Sequence, residues 1–247
     1  MAGLRLHLPQ PWPGVGDLLR FCGDDLRHIQ VLKMQAGDEV ELFDGVSQAA
    51  AATLVAVGKR QAEARVTRIE SREETPVLAI TVVQALPNTA DKMDTVIQKC
   101  TELGVSRFVP LVTSRSAPAL AGERLLRKMA HWEKVALEAC RQCNRVRAPL
   151  VSAPVKVEDF GDPGSDTLKI VLHTAPGGLP LAEVFATREV AALWIAVGPE
   201  GGFAPGEVTL LQSLGFLEVW LGPRVLRTET AAPAVTAVAQ FAMGEFR

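Results

Sequence analysis

Cysteine, histidine and long apolar runs are all scarce in this chain, and each scarcity excludes something. Four cysteines in 247 residues do not make a disulfide scaffold. Cys140-x-x-Cys143 sits late in a helical pattern with no second cysteine pair, so no redox or zinc role is expected for it. The four histidines are dispersed and support no metal cluster. No apolar stretch reaches the ~18 residues of a membrane span, and no basic-plus-apolar signal segment opens the chain. A soluble cytoplasmic protein is the expectation. No internal repeat occurs. Neither G-x-G-x-x-G after the first strand nor G-x-x-x-x-G-K-[ST] is found, so neither a Rossmann dinucleotide site nor a P-loop is supported.

Charge of one sign is also nearly missing from the total. With 26 Lys+Arg against 28 Asp+Glu the formal net charge is −2, which by itself argues against nucleic acid. The distribution argues otherwise. Residues 1–75 balance at 9 − 11 = −2, residues 76–150 at 11 − 6 = +5, and residues 151–247 at 6 − 11 = −5. A basic middle third is a possible footprint for phosphate, or simply a solvated helix face. Arg124, Arg127, Lys128, Lys134, Arg141, Arg145 and Arg147 supply most of the excess.

Residues 1–72 read as short β segments around Val40–Phe43, Ala51–Val57 and Ala62–Ile69, with one helix over Asp24–Lys33. A small barrel is expected. The polar run Ser71–Pro76 is the linker candidate. From there strands and helices alternate. Strands are expected at Leu78–Ala85, Arg107–Val112, Leu168–His173, Leu193–Val197 and Phe216–Leu221, and helices at Asp91–Leu103, Glu123–Cys143, Pro205–Leu214 and Thr230–Phe241. Repeated βα units imply an α/β domain with a largely parallel sheet, whose ligands bind beyond the carboxyl ends of the strands.

Three strand ends there carry Gly- and Pro-rich loops. They are Leu172-His173-Thr174-Ala175-Pro176-Gly177-Gly178, Gly198-Pro199-Glu200-Gly201-Gly202-Phe203, and Leu221 through Ala231. Each alone could be a tight turn. Three after neighbouring strands suggest exposed backbone amides and carbonyls that hold a nucleoside without a phosphate chain.

At these residues the sequence resembles a known family. Gly198-Pro199-Glu200-Gly201-Gly202-Phe203, followed by Leu221-Gly222-Pro223-Arg224-Val225-Leu226-Arg227-Thr228-Glu229-Thr230-Ala231, is similar to the ribosomal RNA small-subunit uridine-N3 methyltransferases (RsmE type) of the SPOUT superfamily. Ile97-Gln98-Lys99-Cys100-Thr101-Glu102-Leu103-Gly104-Val105 matches that family's Ile-Gln-Lys-x-x-Glu-Leu-Gly-Val helix, and Asp44-Gly45 and Arg5 match its N-terminal part. The resemblance covers essentially the whole chain.

It implies a PUA-like RNA-binding β-barrel over residues 1–73 and a SPOUT methyltransferase domain with a deep trefoil knot over residues 74–247. It also implies S-adenosylmethionine as cofactor, 16S rRNA or the small subunit as partner, a homodimer, and neither metal nor membrane. Cofactor contacts carry over to Leu172, His173, Gly198, Gly202, Leu221, Gly222, Leu226, Thr230 and Ala231. Glu229 becomes the candidate base or base-orienter, and Arg227 the group that stabilises an anion or a phosphate. An ion-pair network of Arg224, Arg227 and Glu229 that only fixes the loop is the competing reading. Glu200 either holds its loop or faces the sulfonium. RNA contacts are expected at Arg5, Lys33, Lys92, Lys99, Arg115 and Arg145. A SPOUT enzyme for another RNA position and a non-catalytic RNA-binding assembly factor are the alternative functions.

The chain also departs from the family pattern. Arg141 stands where relatives carry an acid, Asn144 replaces a capping Gly, and Gln30 precedes Val31-Leu32-Lys33 where relatives usually have Arg.

Overall fold

Alternation of apolar and polar residues builds the first sheet. In the computed structural model, which describes residues 3–72, 75–118, 120–174, 177–186 and 190–246, it contains β1 (Leu4–His7), β2 (Leu18–Phe21), β3 (Glu39–Phe43), β4 (Gln48–Val57) and β5 (Ala62–Ser71). Their order is β1-β3-β4-β5-β2, with β1 parallel to β3 and the other pairs antiparallel. One helix, α1 (Gly23–Val31), contributes Leu26 and Ile29 to the core with Leu6, Leu42, Leu54 and Val66. This is the small N-terminal β unit expected from the sequence. Strands β1 and β2 lie outside the expected elements because four residues are too few to display a period. Linker residues Glu73 and Glu74, and with them the 73/74 boundary, lie outside the described residues.

Met1–Thr75 and Cys140–Ala148 form one compact unit, and Pro76–Ala139 with Pro149–Arg247 the other. A single cut in the sequence cannot express that division. Arg5 shows why the 140–148 segment belongs with the barrel. Its side chain is 3% exposed, and Nη1 donates to the carbonyl of Cys140 at 2.7 Å. Both terminal nitrogens reach the Arg145 carbonyl at 3.3 Å, Nε lies 3.3 Å from Glu41 Oε1, and the guanidinium stacks 4.7 Å from the Phe43 ring centroid. Arg5, expected to touch RNA, is buried here, with its guanidinium directed at the Cys140 and Arg145 carbonyls and at Glu41. Arg141, at the departing position, bonds Asp25 at 3.2 Å and His28 Nδ1 at 3.0 Å. Asn144 adopts φ +66°, the left-handed conformation that its short polar side chain tolerates.

The second unit is an α/β sandwich. In chain order it has β6 (Ala79–Ala85), α2 (Ala90–Glu102), β7 (Arg107–Val112), α3 (Gly122–Cys143), β8 (Leu150–Val151), β9 (Val155–Lys156), β10 (Leu168–His173), β11 (Leu179–Pro180), α4 (Leu181–Ala186), β12 (Ala192–Val197), α5 (Pro205–Ser213), β13 (Leu217–Trp220) and α6 (Thr228–Ala242). The sheet runs β11-β13-β10-β12-β6-β7-β8, with β9 also on β7, and every pair is parallel. Helices cover both faces, which is why β6 reads as a continuous apolar run: Ile80 and Val82 face one core cluster, Val83 and Ala85 the other.

Helix α2 shows how locally the chain encodes its ends. Met93, Val96, Ile97 and Cys100 are buried on one stripe, and Gly104 follows the last turn at φ +91°. There the Val105 amide bonds the Cys100 carbonyl at 2.9 Å. A Cβ on Gly104 would lie 2.6 Å from Gln240 Nε2, which itself donates to the Leu103 carbonyl at 3.0 Å. Glycine is thus required by conformation, and a side chain there would also displace the Gln240 amide from its place on the Leu103 carbonyl. Burial pushes the Cys100 thiol up to about 12, against a smaller opposite effect of the Thr236 hydrogen bond, so it stays a protonated core group. No helix is long and apolar enough to cross a membrane among the described residues.

Candidate active site

Strands β13, β10 and β12 are neighbours in that order, so their three carboxyl-terminal loops emerge side by side. Together they wall a cleft of about 730 Å³, within the ~300–1,000 Å³ typical of small-molecule sites. The sequence alone named all three loops; their adjacency comes from the strand order.

From β10 come Leu172 and His173, whose Nδ1 lies 3.0 Å from Glu218 Oε1 on β13. Ala175 and Pro176 of this loop lie outside the described residues. From β12 comes the turn at Gly198–Phe203, closed by the Gly202 amide on the Pro199 carbonyl at 2.9 Å. Gly202 has φ +67°. A Cβ on Gly198 would sit 3.0 Å from the Phe203 nitrogen and 3.1 Å from Gly202 Cα and carbonyl carbon, all backbone atoms unable to swing aside. From β13 come Leu221, Gly222 and Leu226, and the first turn of α6 adds Glu229 and Ala231. Thr230 differs from the expectation. It is exposed and absent from the cleft lining, because on a helix it points about 100° away from each neighbour.

Two carboxylates and two cations define the electrostatics. Glu200 accepts from the Asn88 amide and Nδ2, both at 3.1 Å, and from Lys92 Nζ at 2.8 Å. Burial pushes the Glu200 carboxyl up, but the Lys92 ammonium and the amides of Glu200 and Asn88 outweigh it and hold the carboxyl below the ordinary value. The same Glu200 hydrogen bond raises Lys92 above the ordinary lysine value. Glu229 is 17% exposed: Oε1 lies 3.9 Å from Arg227 Nη1, and Oε2 lies 4.0 Å from Lys92 Nζ. That Oε2 is buried without a hydrogen-bond partner among the described residues. A carboxylate oxygen without a hydrogen-bond partner, in a residue that lines a cleft, suits a ligand that brings a donor or a positive centre. Arg227 itself is 83% exposed.

Beneath the loops runs a chain of hydrogen bonds. Gln84 Nε2, fully buried at the end of β6, donates to Thr228 Oγ1 at 2.9 Å, which donates to the Gly198 carbonyl at 2.7 Å. Gln84, Asn88 and Thr228 position these loops, a role that their place in the sequence does not assign. One signal was available for the first: a glutamine interrupting an apolar strand is costly unless it is bonded.

The expected RNA residues divide. Lys92 and Arg115 lie in the cleft wall, where Arg115 Nη1 donates to the Gly201 carbonyl at 2.9 Å. Lys99 is exposed on α2 and pairs with Glu102 at 3.0 Å. Lys33 is exposed beyond α1 at φ +55°. Arg145 is half-buried, its carbonyl taken by Arg5.

Comparison with known proteins accords with this geometry. The family model described as RNA methyltransferase domain matches residues 73–240, and the one described as RNA methyltransferase PUA domain matches residues 21–67. Ribosomal RNA small subunit methyltransferase E of Mycobacterium tuberculosis is 31% identical over 227 residues, covering 89% of this chain and 85% of its own. The protein of that name from Bacillus subtilis is 30% identical, with 85% of each chain covered. Among solved structures, the Neisseria gonorrhoeae ribosomal RNA small subunit methyltransferase E bound to S-adenosyl methionine superposes with a TM-score of 0.86 at 30% identity over 100% of both chains. A Legionella pneumophila structure containing the bound cofactor SAM gives 0.86 at 32% identity over 98% of each. The chain belongs to the RNA methyltransferase family, among the proteins of the ribosomal RNA small subunit methyltransferase E type.

Proposed function

We propose that this chain is a cytoplasmic S-adenosylmethionine-dependent enzyme that methylates N3 of a uridine in 16S rRNA of the small subunit. The observation that carries the reading is the meeting of three glycine-rich loops around a cleft lined by Glu229, whose Oε2 has no hydrogen-bond partner among the described residues. When bound, S-adenosylmethionine supplies a methyl group on a sulfonium, so the protein's contribution is orientation and charge. Leu172, His173, Gly198, Gly202, Leu221, Gly222, Leu226 and Ala231 would hold it, in a cleft whose volume and exposed loop backbone suit a nucleoside.

Uracil N3 becomes a competent nucleophile as its proton leaves. Glu229 Oε2 would accept that proton as the new carbon–nitrogen bond forms. Lys92, 4.0 Å from the same oxygen, supplies positive charge for an anionic ring, and exposed Arg227 serves the ring or a phosphate. Glu200 receives the role of loop holder, since three hydrogen bonds already occupy it. Residues 1–73 are assigned to RNA binding as a PUA-like barrel and residues 74–247 to methyl transfer. Lys33, Lys99, Arg115 and Arg145 are carried forward as RNA contacts. A trefoil knot in the second part and a homodimer belong to the same reading, which family membership supports.

Gly198→Ala tests the cofactor loop. Overpacking against backbone costs about 1–3 kcal/mol, so the S-adenosylmethionine dissociation constant should rise about 5–150-fold by calorimetry. An unchanged constant would remove this loop from the cofactor site. The function itself is tested by mass spectrometry of 16S rRNA from cells lacking the protein. Loss of N3-methyluridine, restored by the intact gene, is expected. Loss of a different nucleoside would reassign the target, and an unaltered rRNA would overturn the reading.

A further inference from the structure

A second groove lies away from the cleft, between the start of α2 and the first half of α3. Its open volume is about 440 Å³, and Arg124, Arg127, Lys128 and His131 line it opposite Asp94. The four basic positions recur at i, i+3, i+4 and i+7, which places them on a single helix face. Arg124 has no ion-pair partner among the described residues, and Arg127 meets only Glu123, at 3.3 Å with both side chains largely exposed. Such a solvent-screened pair is readily exchanged for a phosphate. Lys128 is held in place, 5.4 Å over the Trp132 ring and 3.6 Å from Asp94 Oδ1.

Asp94 adds a second chemical requirement. Its Oδ2 is 2.7 Å from His131 Nε2, while Oδ1 is buried and accepts no hydrogen bond among the described residues. A ligand suited to this groove brings negative charge for the arginines and a hydroxyl or amine donor for Asp94. A ribonucleotide backbone carries both, as phosphate and 2′-hydroxyl, at adjacent positions.

We propose that this groove binds the ribose–phosphate backbone of the substrate RNA, with Arg124 and Arg127 on phosphate oxygens and Asp94 Oδ1 accepting from a ribose 2′-hydroxyl. The proposal rests on the reading of the chain as an RNA-modifying enzyme. It places part of the RNA grip on the methyltransferase unit itself, in residues that no family motif named above includes.

The test is fluorescence anisotropy of the full chain with a structured fragment of 16S rRNA and with DNA of the same sequence, across about 50–200 mM salt. Each lost phosphate contact removes about 0.7–0.9 from the log–log salt slope, so Arg124→Gln with Arg127→Gln should lower it by about 1.4–1.8. Arg124→Gln alone, at an exposed position, should lower it by half as much. Asp94→Asn should narrow the preference for RNA over DNA while the salt slope stays put. S-adenosylmethionine binding, measured in parallel by calorimetry, should match the parent chain in all three. A salt slope unchanged in the double variant overturns the proposal. So does a change in sedimenting mass, which would assign the face to pairing between copies of the chain. A parent chain that binds RNA with the expected slope yet leaves 16S rRNA unmethylated would sink the proposed function and leave the groove standing.

Discussion

Replacing Glu229 by Gln is expected to lower the methylation rate about 10²–10⁴-fold, equivalent to about 2.7–5.4 kcal/mol of barrier, while S-adenosylmethionine binding stays close to that of the parent. The reasoning is geometric. Gln keeps the shape and polarity of the side chain at the head of α6 and loses only the capacity to take a proton. The residue lines the cleft, and its Oε2 is buried without a hydrogen-bond partner among the described residues, with the Lys92 ammonium 4.0 Å away. Single-turnover methylation of 16S rRNA isolates the chemical step, and calorimetry reads the cofactor separately. A rate near that of the parent would reduce Glu229 to a member of the loop's ion-pair network with Arg227.

Arg5→Met is expected to destabilise the barrel unit by about 3–5 kcal/mol, the scale for removing one partner of a buried charged pair. Met preserves much of the volume over Phe43. It removes the guanidinium's hydrogen bonds to the Cys140 and Arg145 carbonyls and leaves the Glu41 carboxylate with Arg72, 2.9 Å away, as its charged neighbour among the described residues. Hydrogen exchange of the β1, β3 and β4 amides is the measurement, and protection should fall about 10²-fold or more. Methyl-transfer chemistry on cofactor already bound need not change. A loss under ~1 kcal/mol accompanied by weaker RNA binding would restore Arg5 as an RNA contact.

Legibility followed the range of the interactions. Strands β7 and β10 are found at the residues expected, and α2 and α3 within one residue at each end, because a buried stripe and a stop such as Gly104 are written within a few turns of chain. Two-residue strands such as β8 and β11 carry no period and exist only through pairing with β7 and β13. Motif position places Thr230 at the cleft, whereas the structure leaves it exposed and outside the cleft lining.

The RNA candidates divide for the same reason. Arg5 and Lys92 are equally polar letters in a sequence. One is 3% exposed and consumed by carbonyls about 135–140 residues away along the chain, while the other lies in a cleft between two carboxylates. Nothing within ten residues of either distinguishes them.

The amino-acid order alone determined the βα alternation, the strand–helix periods, the three glycine-rich loops and the +5 excess of the middle third. These follow from local propensity and backbone freedom, which need no distant partner. Only the tertiary structure decided that β13, β10 and β12 are neighbours, that Glu229 Oε2 is buried without a hydrogen-bond partner among the described residues, and that Gln84 reaches Thr228 across 144 positions. Strand order and buried hydrogen bonds depend on contacts between segments far apart in the chain, and such contacts are a property of the folded molecule.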